Sequence, residues 1–391
     1  MLRNSLIAFL ALIALPISAQ AQCGGNFTSF VTSLKEEALT GGYDRATVNR
    51  FFKGVQKDAA VLKADRAQGV FQKPFVEFSR RLISQNRIDR GKAMSQKYDA
   101  IFRRIENTYG IDRGVLLAFW AFETDYGAVQ GNFNTLNALI TLAHDCRRPD
   151  LFRPQIFAAL ELYADGDFDP RKTTGAWAGE IGMVQMLPKD ILENGVDADG
   201  DGHVRLKTSA PDALMSGAKM LSSLGWTADA PWLQEVTIPA DLDLRKTGAY
   251  RKLNVSDWKA MGITPRSGRL AAPGVKAALI LPQGHKGPAF LAYPNFDVYF
   301  EWNQSFTYVL TAAYFATRLS GAERLDVGSP DPGLNGAQMK QLQRKLQAKG
   351  YDVGDIDGIL GARTRRAVQK EQERLGFPAD AWPTPALLAK L

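Results

Sequence analysis

Apolar residues recur at intervals of three and four along most of the chain, as at Phe75, Phe78 and Leu82 and again at Val115, Phe119, Phe122 and Tyr126. That spacing predicts a helix-rich first domain from Phe27 to about Leu224. Between Pro231 and Tyr299 the texture changes to short β-prone runs, Glu235 to Ile238 and Ala278 to Leu281, divided by Pro and Gly. A small β-containing subdomain is expected there. Helical spacing returns at Phe306, Tyr308, Ala312, Phe315 and Leu319 and should pack back on the first helices. Residues 326–336 (DVGSPDPGLNG) are rich in breakers and read as a linker. The remaining 337–391 carry Met339, Leu342 and Leu346 on one helix face and Ala367, Val368 and Leu375 on another, a small helical module.

The first 21 residues follow a different pattern. Arg3 gives a positive start, Leu6 to Leu15 an apolar run, and Ala19-Gln20-Ala21 a small-x-small cleavage site, the layout of a secretory signal peptide cut before Gln22. Gln22 occupies the place before Cys23 where a lipoprotein signal needs a small residue. No later run is long enough to span a bilayer. The expected protein therefore has segments 1–21 (signal), 22–325 (main domain), 326–336 (linker) and 337–391 (module), and it is soluble in an oxidising compartment. The two cysteines, Cys23 and Cys146, then read most simply as one disulfide.

With 391 residues and 45% hydrophobic content there is ample material for more than one core, which excludes a disordered or fibrous chain. The net charge of +7 suits DNA, anionic lipid or an acidic wall polymer equally and does not choose among them. His144, His203 and His285 lack any zinc-site spacing, so no zinc is expected.

Three stretches carry candidate chemistry. LLAFWAFETDYG (116–127) places Glu123 in an apolar helix expected to end at Gly127, with Phe119, Trp120 and Tyr126 three or four positions away. Aromatic crowding removes water, favours the protonated acid, and suits a general acid. Asp125 is roughly 200° around the helix from Glu123 and makes a poor second catalytic carboxylate. No other acid is visible near Glu123. GAWAGEIGMVQMLPKD (175–190) sets Gln185 among apolar residues, where its amide needs a partner, either a sugar group or an internal backbone group. VDADGDGHVRL (196–206) alternates Asp197, Asp199 and Asp201, followed by Gly202 and the carbonyl of His203, the first half of a calcium loop. Its twelfth position is Thr208 in place of Glu, and Asp212 is the next acid downstream.

In order, WAFETDYG, AGEIGMVQMLP and EWNQSFTYVLTAAYFA, supported by RRPDLF (147–152) and DADGDGH, resemble the membrane-bound lytic transglycosylase B family of murein-degrading enzymes in a soluble form, over about Phe27 to Leu325. The tail resembles the three-helix peptidoglycan-binding module through MKQLQRKLQAKGY and DGILGARTRRAVQKEQ, with Glu371 where an aromatic residue is common. The resemblance implies a mainly α, lysozyme-like fold with a small β subdomain and a periplasmic location. It also implies cleavage of the MurNAc-GlcNAc β-1,4 bond by one Glu, giving 1,6-anhydroMurNAc and needing no cofactor; a structural calcium is the separate expectation from the acidic loop. It assigns catalysis to Glu123, glycan contacts to Gln185, Asn303 and Tyr308, and a reach toward the acidic peptide stem to Arg148. Trp302 replaces the family's Tyr beside Asn303, and Glu180 and Ile181 replace Ala and Met. The expected partners are glycan strands and other wall enzymes, with a monomeric chain and no nucleic acid. A lysozyme-type muramidase or an inactive wall-binding scaffold is the alternative.

Overall fold

A computed structural model describes residues 23–67 and 73–391; the signal-type segment 1–21 lies outside them. The helix Arg113–Thr124 runs through the middle of the main domain. Nine of its residues are buried, Gly114 to Ala121 and Thr124, because its sequence is apolar on every side. Asp112 caps its start by accepting the Gly114 N–H at 2.7 Å. The helix Phe306–Leu319 lies against it, and Gly114 permits the approach: a β-carbon there would fall 2.8 Å from the Ala316 carbonyl oxygen.

Two large apolar clusters result. One gathers around these two helices. The other forms around the helices Phe27–Thr40, Thr135–His144 and Pro149–Ala164. Met183 and Trp302 pack on both clusters and so mark the seam between them. The Cys23–Cys146 disulfide ties the first described residue to the end of the Thr135–His144 segment.

The expected β subdomain is a five-stranded antiparallel sheet in the order Lys252–Asn254, Lys276–Ile280, Ala289–Ala292, Leu233–Thr237, Thr264–Pro265. Lys276–Ile280 and Ala289–Ala292 are almost wholly buried, which explains why they read as continuous apolar runs and not as alternating strands. Trp258 plugs the face beneath them and donates its indole N–H to the Ala277 carbonyl at 2.8 Å.

The tail folds as the helices Gly336–Ala348, Ala362–Leu375 and Pro385–Lys390 around Leu342, Leu346 and Val368. The first begins at Gly336, inside the stretch expected to be linker, because Asn335 and Gln338 form a reciprocal capping box. The preceding segment has no regular structure, yet it is strapped down. Asp326 N–H donates to Glu235 (2.7 Å), Ser329 N–H donates to the Lys286 carbonyl (2.8 Å), and the Asp331 carbonyl accepts the Trp382 indole N–H (2.8 Å).

The module also touches the main domain directly. Gln369 donates to the carbonyls of Leu244 and Thr247 at 3.0 and 3.1 Å. Arg365 donates to the Pro282 carbonyl at 2.8 Å and lies over the Phe306 ring. Asp380 pairs with His285 at 2.7 Å. Among the described residues no helix is long and apolar enough to cross a membrane.

Candidate active site

Glu123 occupies the last turn of the central helix, at the seam between the two cores. The helix stops at Thr124, three residues before the end expected from the sequence. Asp125 and Tyr126 take positive φ angles of 51° and 60°, and the Asp125 and Tyr126 N–H groups close back on the carbonyls of Ala121 and Trp120. The turn sends Asp125 away from the seam into Arg87 (3.1 Å) and Arg90 (2.5 Å). Burial opposes its charge, but those guanidiniums hold the Asp125 carboxyl below the usual range.

Two neutral donors grip Glu123. Its Oε1 accepts the Tyr308 hydroxyl at 2.5 Å and the Trp302 indole N–H at 3.2 Å. Trp302 is itself held flat on Phe119, with ring centroids 4.4 Å apart, and Phe119 stacks on Tyr299. On the other side Phe122 stacks on Phe315 and meets Tyr308 edge-on. Burial pushes the Glu123 carboxyl up to about 7; the Tyr308 and Trp302 hydrogen bonds pull it down, and the charge of Glu180 adds to the rise. An acid of that strength holds a proton near neutrality and can still release it.

The aromatic residues beside Glu123 in sequence act differently from one another. Phe119 works at one remove, as the platform for Trp302. Trp120 packs edge-on against Tyr126 and Tyr98 and makes no contact with the carboxylate. The rings that touch Glu123 come from 179 and 185 residues downstream.

A loop clamps the end of this helix. Thr124 Oγ1 donates to the Met183 carbonyl at 2.6 Å and accepts the Gly127 N–H. Gln185 lies in that loop at a positive φ of 54°. Its amide donates to the Gly182 carbonyl at 2.8 Å and the Gln130 carbonyl at 3.4 Å, so an internal partner takes its N–H groups. Asn303 ends the helix Pro294–Trp302 and accepts the Ser305 N–H at 2.9 Å, which fixes the bend that carries Trp302 on one side and Tyr308 on the other. The Arg148 guanidinium donates to Asp65 at 2.6 Å and lies over the Phe152 ring. Asp65, buried in the helix Ala59–Arg66, also holds Arg147 and was not foreseen.

The acidic loop brings Asp197, Asp199 and Asp212 together, with ligand oxygens within 4.8 Å of one another. Asp212, fully buried at the start of the helix Ala210–Ser223, accepts the N–H groups of Ala198 and Arg205 and ties the loop shut. The Asp201 carboxylate stands apart from this group and pairs with Arg205, while the His203 ring meets Asp167 Oδ1 at 2.7 Å. A set of hard carboxylate oxygens fits calcium in chemistry.

Missed by sequence reasoning were the hydrogen bond from Trp302 and the nearness of Glu180. Trp302 stood out as a departure from the family pattern. Glu180 offered one signal, an acid in an otherwise apolar, Gly-rich stretch.

Two family models match the chain. The model of the transglycosylase SLT domain matches residues 26–317, and that of the putative peptidoglycan binding domain matches 335–391. The membrane-bound lytic murein transglycosylase B of Escherichia coli is 25% identical over 304 residues, covering 74% of this chain and 82% of that protein. The crystal structure of SltB3 from Pseudomonas aeruginosa in complex with NAG-anhNAM-pentapeptide superposes with a TM-score of 0.86 at 36% identity, covering 94% of this chain and 99% of that one. The E. coli lytic transglycosylase Slt35 in complex with calcium shares the fold, with a TM-score of 0.65 at 23% identity over 77% of this chain and 96% of that one.

Proposed function

Because the chain belongs to the transglycosylase SLT domain family, we propose that it cuts the MurNAc-GlcNAc β-1,4 bond of peptidoglycan without water, with Glu123 as the only proton carrier. The observation that carries this reading is a carboxyl group held near pKa 7 by burial and gripped by neutral donors alone. Protonated Glu123 gives its proton to the departing GlcNAc oxygen. The MurNAc N-acetyl oxygen meets the developing positive charge at the anomeric carbon. Glu123, now ionised, takes the proton of the C6 hydroxyl as that oxygen closes the 1,6-anhydro ring, and the enzyme returns to its starting state.

An ordinary glycosidase sets two carboxylates across the bond. Substrate groups replace the second one here, and Asp125, tied to Arg87 and Arg90, is withdrawn from the task. Tyr308 and Trp302 fix the orientation of Glu123, while Gln185 and Asn303 shape the adjoining walls. Asp197, Asp199 and Asp212 would hold a structural calcium that stiffens the loop beside the Met183 clamp. The C-terminal helices bind the wall polymer, and the Cys23–Cys146 bridge suits the periplasm, where that polymer lies. The chain acts as a monomer.

Digestion of purified sacculi tests the reading. Mass spectrometry should find 1,6-anhydroMurNAc ends, and Glu123→Gln should abolish their release while remaining folded. A product set dominated by hydrated MurNAc ends would assign a muramidase in its place.

A further inference from the structure

The seam between the C-terminal module and the main domain encloses a cavity of about 270 Å³ that the proton shuttle leaves unused. Four basic side chains line it. Arg365, Arg366 and Lys370 come from the module's helix Ala362–Leu375, and Arg251 comes from the main domain. Arg366 and Lys370 stand four positions apart on that helix, a spacing at which like charges repel and weaken it. Among the described residues none of the four pairs with a carboxylate, although Arg374 on the same helix pairs with Glu371 at 2.7 Å. The lining holds one acid, Asp380, and its oxygens are taken. Oδ2 meets the His285 ring at 2.7 Å, and Oδ1 accepts from the Gln372 amide and the Trp382 N–H at 2.9 and 3.0 Å.

Arg365 is anchored but not satisfied. One terminal nitrogen donates to the Pro282 carbonyl at 2.8 Å, and the guanidinium lies 4.6 Å from the centroid of the Phe306 ring. Its Nε is buried with no hydrogen-bond partner. A cation drawn out of water without a counter-ion is costly, so its retention here calls for an anion. A guanidinium fork between apolar walls, here Ile280, Leu281 and Phe306, fits a carboxylate carried on a short organic chain. At the mouth the Arg366 guanidinium lies 4.1 Å from the centroid of Tyr250, a ring left 60% exposed. Tyr250 and Phe306 also line a groove of about 710 Å³ that reaches Gln304 and Ser305, so the cavity continues into open space.

This pocket is not part of the cleft at Glu123. Phe306 precedes Tyr308 by two residues, roughly 200° around one helix, so the same turn presents Tyr308 to the catalytic carboxyl and Phe306 to Arg365.

We infer that the seam is a second recognition site, at which Arg365, Arg366, Lys370 and Arg251 receive the carboxylates of peptidoglycan's peptide stems. The inference rests on the peptidoglycan reading for its ligand and deepens it. The glycan alone gives these cations nothing to bind: GlcNAc is neutral, and the lactyl carboxyl of MurNAc is consumed in the amide that carries the stem. The anionic groups of the polymer are the free carboxylates of the stem.

Isothermal titration calorimetry of the full chain tests this, with the tripeptide L-Ala-γ-D-Glu-meso-diaminopimelate and the same peptide with its carboxyls amidated. Wild type should bind the acidic peptide and hold the amidated one at least about tenfold more weakly. The double variant Arg366→Gln/Lys370→Gln should lose about tenfold in affinity for the acidic peptide; both side chains are exposed, and melting curves check that the variant is folded. Arg365→Lys, which keeps the charge but not the fork, should weaken binding by a similar factor. Equal affinity for the two peptides, or a folded double variant that binds the acidic peptide as wild type does, overturns the proposal. So does tighter binding of phosphatidylglycerol vesicles that is lost in the same variant, which would make the seam a lipid-headgroup site. The titration reads no bond cleavage. Wild type that binds the peptide yet releases no anhydro ends fails the transglycosylase reading alone, and wild type that releases them without binding the peptide fails this inference alone.

Discussion

Glu371 is buried and Glu123 half-buried, both on helices, and each accepts a tyrosine hydroxyl, at 2.5 Å from Tyr308 and 2.7 Å from Tyr351. They nevertheless sit at opposite ends of the carboxylate range. Glu371 lies in the C-terminal module, where Arg374 at 2.7 Å leads the groups that hold it down to about 2, with Tyr351 and Lys349 adding to the effect. Glu123 has no cation in its shell and is pushed up to about 7. Burial alone therefore makes neither an acid catalyst nor a structural anion. The charge of the neighbours decides, and the fold supplies neutral rings at one site and basic side chains at the other.

The sharpest way to break the contrast is to give the cleft the cation that the module has. Trp302→Arg keeps a flat group able to stack on Phe119 but brings a positive charge to Glu123. We expect kcat/KM at neutral pH to fall by about 100-fold, the range of a lost general acid, with the alkaline limb moving to lower pH. A variant with the limb in place would show that the neutral shell is not what sets the acid.

Removing a neutral donor should act in the other direction on the limb. The Tyr308 hydroxyl favours ionised Glu123, so Tyr308→Phe should raise the alkaline limb while costing about tenfold in rate through lost orientation. The opposite signs of the two shifts, read in pH–rate profiles, separate charge from packing.

In the module the same logic concerns stability. Glu371→Gln should destabilise the folded chain by about 1–3 kcal/mol, as expected for a charge-assisted hydrogen-bond set that loses its anion, measured by urea unfolding at pH 7. The folded carboxyl lies below its unfolded value, so its contribution is present above about pH 4.5 and fades as pH falls toward about 2. Wild type and Glu371→Gln should thus converge in stability as pH falls through that window. The smallest effect is expected at the acidic loop. Calcium should raise the melting temperature by a few degrees over chelator, and Asp199→Asn should remove that difference.

Much of this could be read along the chain, and the rest fails for a reason of distance. Glu123 declared itself through a charged residue in an apolar helix, and Asp125 through its angular offset. The helix ends earlier because two residues in the left-handed region, Asp125 and Tyr126, are held there by Arg87 and Arg90, neither of which is local. Trp302 and Tyr308 were visible as a motif, but their contact with Glu123 crosses about 180 residues and has no signature in spacing. The pairing of Arg148 with Asp65 could not be foreseen, because the two lie 83 residues apart. The sheet, by contrast, followed in its existence from short β-prone runs between breakers, but its order did not, because Leu233–Thr237 pairs with Ala289–Ala292 across three strands that intervene in sequence.

The strap between the two domains has a mechanical consequence. With Asp326, Ser329 and Asp331 fastened to one body or the other, and Arg365 and Gln369 anchored in the main domain, the tail is a fixed outrigger and not a tether. A glycan bound at these helices would sit at an offset from Glu123 that the packing, and not a loose chain, sets.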